Sequence, residues 1–358
     1  MTIEQIDKNF AKQEVEIKDG KATYHLPNEN FSLFGLQYDK DNKRFTRLPD
    51  AVAKATSDNV RHLATKTAGG RLCFKTNSSF IELSATYPAL CNMRHMPLTG
   101  SSGFSLFEDT PDGEKFVGLL NAYPADKQGF TAACALKGDV LRDYILYFPL
   151  YNDVYDLTIT LDEQAKIQPF CPYQDKLPIL YYGSSITQGG CASRPDNSYQ
   201  AIICKKNRID YINLGFSGSA KGEKAMADYL SQIPCSIFVC DYDHNAHSPE
   251  ELQSTHYPLY ETYRKANPKT PILFITRPDY RDPIVDEKYI KIVKATYEKA
   301  KAQGDDNVYF ILGKTFFEGG QVCDYTVDNC HPTDRGFAAM ADKIYPVIQE
   351  ILQGENHD

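Results

Sequence analysis

The stretch that decides the fold runs from residue 179 to residue 190 and reads ILYYGSSITQGG. A short apolar segment stops at a glycine and two serines, then continues through small residues to a pair of glycines. An apolar run bounded in this way is typical of a strand buried on both faces of a parallel sheet. The serines would then lie at the carboxyl end of that strand, where such sheets bind their ligands.

Four more apolar runs follow, separated by segments with helical spacing. They are DYINLG from 210, CSIFVCDYD from 235, PILFITRPD from 271 and VYFILG from 308. In a final segment from about Thr333, apolar residues recur every three or four positions, which gives a helix one apolar face. Buried strands that alternate with helices predict a three-layer α/β/α domain with a parallel sheet.

The first half of the chain has a different pattern, in which apolar and polar residues alternate. Examples are IELSAT at 81–86 and LTITL at 157–161. The turn sequence TPDG at 110–113 predicts a hairpin. We therefore expect an antiparallel, all-β sandwich of the jelly-roll type over residues 1–170, followed by the α/β domain over 171–358. Prolines at 169, 172 and 178 mark the junction.

Composition excludes several classes of partner. The chain has 358 residues and a net charge of -8, without a basic cluster that would bind nucleic acid or an anionic membrane. No window approaches the run of about 18 apolar residues that a membrane span needs, and no export signal is recognisable. The ten cysteines are scattered, with no C-x-x-C pair, as expected for free thiols in a cytoplasmic protein.

Polar residues that can support ester chemistry follow the predicted strands. Ser185 comes after the first strand, a glycine loop with Gly218 after the second, and Asn245 after the third. Asp328 and His331 lie three residues apart, just before the last helix. A serine becomes a good nucleophile when an imidazole takes its proton and a carboxylate orients that imidazole. A loop amide and an asparagine amide at neighbouring strand ends can then bind the oxyanion.

Four sequence blocks resemble those of the SGNH hydrolases, the GDSL-type esterase superfamily. They are GSSIT, NLGFSG, DHNA and DNCHP, in the order found in that superfamily, and the resemblance extends from about Lys176 to the C-terminus. The resemblance implies that Ser185 is the nucleophile and that Asp328 and His331 complete a catalytic triad. It also implies an oxyanion hole formed by the backbone N–H groups of Ser185 and Gly218 and the side chain of Asn245.

Two departures from the family pattern accompany these matches. Ser184 stands where the family has Asp, which raises the question of which serine reacts, and the third block has Asp243 and Ala246 in place of Gly and Asp. The first half resembles the G-x-D-L-Y stretch of β-sandwich domains that precede some SGNH domains, with Ser105 and Phe107 replacing Asp and Tyr. Such two-domain esterases include carbohydrate deacetylases, so the resemblance favours a sugar substrate.

Three other interpretations are open. An α/β-hydrolase has the same order of Ser, Asp and His, but its G-x-S-x-G elbow would need Gly where Thr187 stands. A metal-dependent hydrolase would use the polar residues of DYDHNAH, namely Asp241, Asp243, His244 and His247. A non-catalytic protein that binds glycans or nucleotides is the third, although GFSGSAKG lacks the order of a phosphate-binding loop.

The sequence thus predicts a serine esterase that removes short acyl groups, chiefly O-acetyl, from a small-molecule or oligosaccharide ester, without a cofactor or metal. The alternative is a general short-chain lipase or acylhydrolase. Arg194 follows the nucleophile loop and is a candidate contact for a sugar, or else an ordinary salt-bridging arginine. The sequence does not predict the oligomeric state.

Overall fold

The structure is a computed structural model that describes residues 15–122, 128–279 and 282–354. Among the described residues before 170 there are thirteen strands: β1 (Glu16–Lys18), β2 (Lys21–His25), β3 (Ser32–Phe34), β4 (Gln37–Asp39), β5 (Arg44–Thr46), β6 (Arg71–Thr76), β7 (Phe80–Thr86), β8 (Phe104–Thr110), β9 (Gly113–Leu120), β10 (Gly129–Ala135), β11 (Arg142–Tyr147), β12 (Tyr155–Asp162) and β13 (Ile167–Pro169).

These strands form two antiparallel sheets that pack face to face. One has the order β1-β2-β12-β5-β4, with β7 beside β12 and β10 beside β7, and the other has the order β13-β6-β11-β8-β9, with β3 beside β6. Phe45, Phe74 and Ile159 belong to the apolar core that the two sheets share. The predicted hairpin is present, because Thr110 pairs with Gly113 at the β8–β9 turn.

The first part also contains helices that the sequence analysis did not predict. They are α1 (Asp50–Thr56), α2 (Asp58–Ala64) and the short α3 (Leu98–Ser101). Ala53 and Val60 of α1 and α2 pack in the same apolar cluster as Leu180 and Tyr182 of the following domain. Their apolar faces are therefore buried by residues distant in sequence, which a local pattern does not reveal.

The second part contains the predicted parallel sheet and its helices. Its elements are β14 (Ile179–Gly183), α4 (Ser185–Gln188), α5 (Tyr199–Asn207), β15 (Tyr211–Gly215), α6 (Lys224–Leu230), β16 (Ile237–Asp241), α7 (Pro249–Ala266), β17 (Ile272–Ile275), α8 (Pro283–Ala302), β18 (Val308–Ile311) and α9 (Asp334–Gly354). Helices cover both faces, with α5 and α9 on one side and α6, α7 and α8 on the other. The predicted fold class is confirmed.

The strand order of this sheet is β15-β14-β16-β17-β18, and all its pairs are parallel. The chain places β15 on one side of β14 and then crosses to place β16 on the other side, so the order of successive strands reverses between β14 and β16. In open α/β sheets, the crevice at the carboxyl ends of such strands binds the ligand. Ser185 lies two residues after β14, and Asn245 lies four residues after β16.

Two buried arginines join the sandwich to the parallel sheet. The Arg47 guanidinium donates to the carbonyl oxygens of Asn213 at 3.2 Å and Gly215 at 2.5 Å. The fully buried Arg71 donates to the Tyr211 carbonyl oxygen at 3.1 Å and forms an ion pair with Asp210. Their partners lie along or next to β15, with Asp210 and Tyr211 at its amino end and Gly215 at its carboxyl end, so these contacts fix the first part of the chain against this strand. The predicted boundary between residues 170 and 171 stays a prediction.

Among the helices that the structure describes, none has both the length and the apolar composition required to span a bilayer.

Candidate active site

The loop after β14 turns sharply and presents Ser185. An added Cβ at Gly183 would collide with the Asp241 backbone, so glycine permits the close approach of two strands at this point. The Ser184 hydroxyl oxygen accepts a hydrogen bond from the Ile186 N–H at 3.2 Å and caps α4. Ser184 is therefore occupied as a helix cap, and Ser185 begins the helix.

Ser185, His331 and Asp328 form one hydrogen-bonded chain. Ser185 Oγ lies 3.0 Å from His331 Nε2, and His331 Nδ1 lies 2.8 Å from Asp328 Oδ2. If Nδ1–H donates to Asp328, Nε2 is free to accept the hydroxyl proton of Ser185, which is the arrangement of a serine nucleophile with its general base. Ser185 itself is largely buried, with 6% of its surface exposed.

Asp328 is held by the turn that it shares with His331. Its Oδ1 accepts hydrogen bonds from the backbone N–H groups of His331 at 2.8 Å and Cys330 at 3.1 Å. Asn329, between them, has a φ of 61°, in the left-handed region that asparagine tolerates better than most residues. Burial alone would raise the pKa of Asp328, but the hydrogen bonds from His331 outweigh it and lower the pKa.

Two acidic neighbours favour the protonated form of His331. The adjacent Cys330 side chain and then Asp328 raise the pKa of His331 to about 9, against the opposing effect of burial. These groups stabilise the imidazolium ion that forms when Ser185 gives up its proton.

Three N–H groups are candidate oxyanion donors. Gly218 has a φ of 64° and open space beside its Cα, and its N–H makes no hydrogen bond to the described part of the chain. Asn245 Nδ2 donates to the Phe216 carbonyl oxygen at 2.8 Å, which leaves its second hydrogen available. The Ser185 N–H, at the first position of α4, has no partner within that helix.

Residues from the sandwich also reach this site, which the sequence analysis did not predict. The Tyr151 hydroxyl donates to the Ser185 carbonyl oxygen at 3.2 Å. The exposed His95 ring lies 5.6 Å from the His331 ring, centroid to centroid. The Thr99 hydroxyl donates to the Ser193 carbonyl oxygen at 2.6 Å, and this bond anchors the segment that carries His95. The first domain therefore contributes to the site.

Arg194 is engaged within its own loop. Its guanidinium donates to both carboxylate oxygens of Asp196, at 3.0 and 3.1 Å, and to Asn197 Oδ1 at 3.2 Å. It also lies over the Phe116 ring at 5.0 Å. These contacts are those of a structural arginine, and its role in substrate binding stays a prediction.

The polar residues of DYDHNAH face different neighbours. Asp241 Oδ2 accepts from the hydroxyls of Thr187 at 3.1 Å and Tyr199 at 3.0 Å, and burial raises the pKa of this carboxyl to about 8. Asp243 contacts Arg277, and His247 contacts Lys221. Among the residues that the structure describes, these groups do not meet His244 in a shared metal site.

Comparisons with known proteins identify the family and the fold. Residues 176–349 match the model of the GDSL-like lipase/acylhydrolase family. Residues 23–167 match the model of the N-terminal domain of SGNH-type esterases. The chain belongs to the SGNH hydrolase superfamily. No curated protein matches it.

Solved structures share the architecture of this SGNH hydrolase. A protein described as a GDSL-like lipase from Bacteroides ovatus is 27% identical, with a TM-score of 0.83 over 92% of this chain and 98% of that one. A salicylyl-acyltransferase from a tetracycline biosynthetic pathway is 16% identical, with a TM-score of 0.75 over 91% and 96%. A family two carbohydrate esterase from Clostridium thermocellum is 12% identical, with a TM-score of 0.64 over 91% and 99%. The last two likenesses establish the fold alone.

Proposed function

We propose that this SGNH hydrolase is a serine esterase that removes short acyl groups, O-acetyl in particular, from carbohydrates. The observation that carries the proposal is the hydrogen-bonded chain of Ser185, His331 and Asp328 at the switch point of the parallel sheet. A nucleophile, a base and an orienting carboxylate are the groups required for acyl transfer.

The reaction begins when Ser185 Oγ attacks the acyl carbonyl carbon. His331 Nε2, 3.0 Å away, takes the hydroxyl proton, and Asp328 holds the ring and stabilises the imidazolium ion. When the tetrahedral intermediate collapses, His331 returns the proton to the departing sugar oxygen. The acyl group then remains on Ser185.

The negative charge that develops on the carbonyl oxygen must be stabilised by hydrogen-bond donors that are already in position. The N–H groups of Ser185 and Gly218 and the free hydrogen of Asn245 Nδ2 fill this role in the proposal. Loss of one such donor in a serine hydrolase costs roughly 2.7–4 kcal/mol of transition-state stabilisation.

Water completes the cycle in the second half of the reaction. His331 removes a proton from the water as it attacks the acyl carbonyl, and returns this proton to Ser185 Oγ when the bond to the acyl group breaks and the carboxylic acid leaves. This step separates an esterase from an acyltransferase such as the structural neighbour named above, in which another acceptor takes the acyl group.

The carbohydrate assignment rests on the surroundings of Ser185 and on the solved structures. Polar residues dominate the loop at 188–198, and the sandwich adds the exposed imidazole of His95. Several carbohydrate esterases share the two-domain fold, among them one solved in complex with cellohexaose. The alternative is a general short-chain lipase or acylhydrolase. A cytoplasmic location stays a prediction.

Mass spectrometry of acetylated xylo- and manno-oligosaccharides after incubation tests the proposal. We expect the loss of acetyl groups with wild-type protein and with Ser184→Ala, and none with Ser185→Ala. Nitrophenyl esters of increasing chain length, assayed in parallel, test the alternative. Hydrolysis of these esters without deacetylation of any oligosaccharide would reject the carbohydrate assignment and leave the esterase one in place.

A further inference from the structure

Beside the catalytic chain lies a second group of side chains, of which Cys330 is also a neighbour of His331. His244, Asp279 and Cys330 come from three separate segments, after β16, after β17 and before α9. We call these three residues the His-Asp-Cys cluster. The His244 side chain is 13% exposed and that of Asp279 is fully buried.

Two acidic side chains in the cluster converge on a single ring nitrogen. His244 Nε2 lies 2.8 Å from Asp279 Oδ1 and 3.4 Å from Cys330 Sγ. One N–H can point directly at only one acceptor, because a hydrogen bond weakens steeply as the N–H···acceptor angle falls below its preferred range. A metal ion placed between the three atoms would instead bond to all of them.

The spacing of the three atoms suits zinc. Bond lengths of about 2.3 Å to sulfur and about 2.0–2.1 Å to nitrogen, at a tetrahedral angle, separate the two ligand atoms by about 3.6 Å. The observed Cys330 Sγ to His244 Nε2 distance is 3.4 Å, and the ligand atoms of all three residues lie within 4.8 Å of one another. The distance between His244 Nε2 and Asp279 Oδ1 would have to open by about 0.5 Å.

Charges around the cluster permit a cation. Within the described part of the chain, Arg277 is a positive group near the cluster, and its guanidinium contacts Asp286 at 2.8 Å and Asp243 at 3.7 Å. Two carboxylates therefore offset its charge. A divalent ion bound by the Asp279 carboxylate, the Cys330 thiolate and a neutral His244 would form a locally neutral complex, which a buried position favours.

We propose that the His-Asp-Cys cluster binds a divalent cation of the zinc class and that the bound ion inhibits the enzyme. The Cys330 N–H donates to Asp328 at 3.1 Å, and His331 is the next residue along the chain. An ion bound to the Cys330 thiolate would therefore lie one residue from the base and restrain the turn that holds it. Binding does not rest on the proposed esterase function, whereas the inhibition does.

Cobalt(II) titration of the full chain tests metal binding without an activity assay. It can be done on Ser185→Ala, which lacks the proposed nucleophile, so the result does not depend on the esterase function. We expect saturation at one equivalent, with the visible bands of a tetrahedral ion and a sulfur-to-cobalt charge-transfer band. Cys330→Ser should abolish the charge-transfer band, and Asp279→Asn and His244→Gln should each weaken binding by about tenfold or more. The control is Cys323→Ser, which removes an exposed thiol and should change nothing.

Further variants distinguish the cluster from a neighbouring set of possible ligands, His95, Cys191 and His331. Cobalt binding should persist in Cys191→Ser and in His331→Gln. A band that survives Cys330→Ser, or one that disappears with Cys191→Ser, would overturn the assignment, and so would the absence of any band in the wild type. Near-ultraviolet circular dichroism identifies variants that have not folded, and any one folded variant of the cluster is sufficient for the test.

Inhibition is measured with zinc alone on wild-type enzyme and a nitrophenyl ester. We expect zinc to inhibit, a chelator to restore the rate, and Asp279→Asn to need about tenfold more zinc for the same effect. Equal inhibition of Asp279→Asn and wild type would refute the inhibitory role, even if cobalt binds as predicted.

Discussion

Replacement of Asp328 by asparagine tests how the carboxylate works. The asparagine oxygen can still accept the backbone N–H bonds now measured at 2.8 and 3.1 Å, so the turn should persist. Its NH2 group would face His331 Nδ1, where the carboxylate oxygen now lies at 2.8 Å. Because this NH2 group donates to Nδ1, it favours the tautomer that carries its proton on Nε2. In that tautomer Nε2 cannot accept a proton from Ser185.

We therefore expect Asp328→Asn to lower kcat by about 10⁴, the loss known for the same change in a chymotrypsin-like triad, with little change in KM. Asp328→Ala removes the two backbone bonds as well, but lets water contact Nδ1 and leaves the tautomer free. Although asparagine resembles aspartate more closely in shape than alanine does, Asp328→Asn should lower kcat at least as much as Asp328→Ala. Steady-state kinetics on a nitrophenyl acetate decide this, with the exposed Asp306→Asn as control. Clearly higher activity in Asp328→Asn than in Asp328→Ala would refute the tautomer argument.

Three further predictions follow from single contacts. Asn245→Ala should lower kcat by about 10²–10³-fold with a small effect on KM. An unchanged kcat would show that Asn245 is not an oxyanion donor. Gly190→Ala should lower kcat because the added Cβ would lie 2.9 Å from the Tyr151 hydroxyl oxygen and 3.3 Å from His331 Cδ2, and full activity in a folded variant would contradict this. Burial lowers the pKa of His256 to about 3. Below pH 6.5 this histidine is therefore protonated in the unfolded chain but neutral in the folded one, and the free energy of unfolding falls as the pH is lowered. Between pH 6.5 and 4.5 this linkage should cost about 2.3 kcal/mol of the free energy of unfolding measured in urea, and an equal loss in His256→Gln would disprove it.

Local sequence patterns indicated where most of the candidate site residues would lie. Ser185 and Asn245 each follow an uninterrupted apolar run, and parallel strands bring their carboxyl ends to one edge. Asp328 and His331 are close in sequence, and one turn brings them together. Short-range patterns and sheet topology were enough for these residues.

Contacts between distant segments were not predictable in this way. Tyr151 and His95 reach the site only because the sandwich packs against the loop after Ser185. Similarly, His244, Asp279 and Cys330 come from three loops, and no sequence spacing relates them. Their meeting depends on tertiary packing, which periodicity does not encode.

The claim that Ser185 is the nucleophile is tested most directly by covalent labelling. The wild-type enzyme would be treated with a fluorophosphonate, digested, and analysed by peptide mass spectrometry, with Ser184→Ala and Ser185→Ala in parallel. We predict one adduct per chain, on Ser185, in the wild type and in Ser184→Ala, and none in Ser185→Ala. An adduct on Ser184, or ester hydrolysis that persists in Ser185→Ala, would contradict the account.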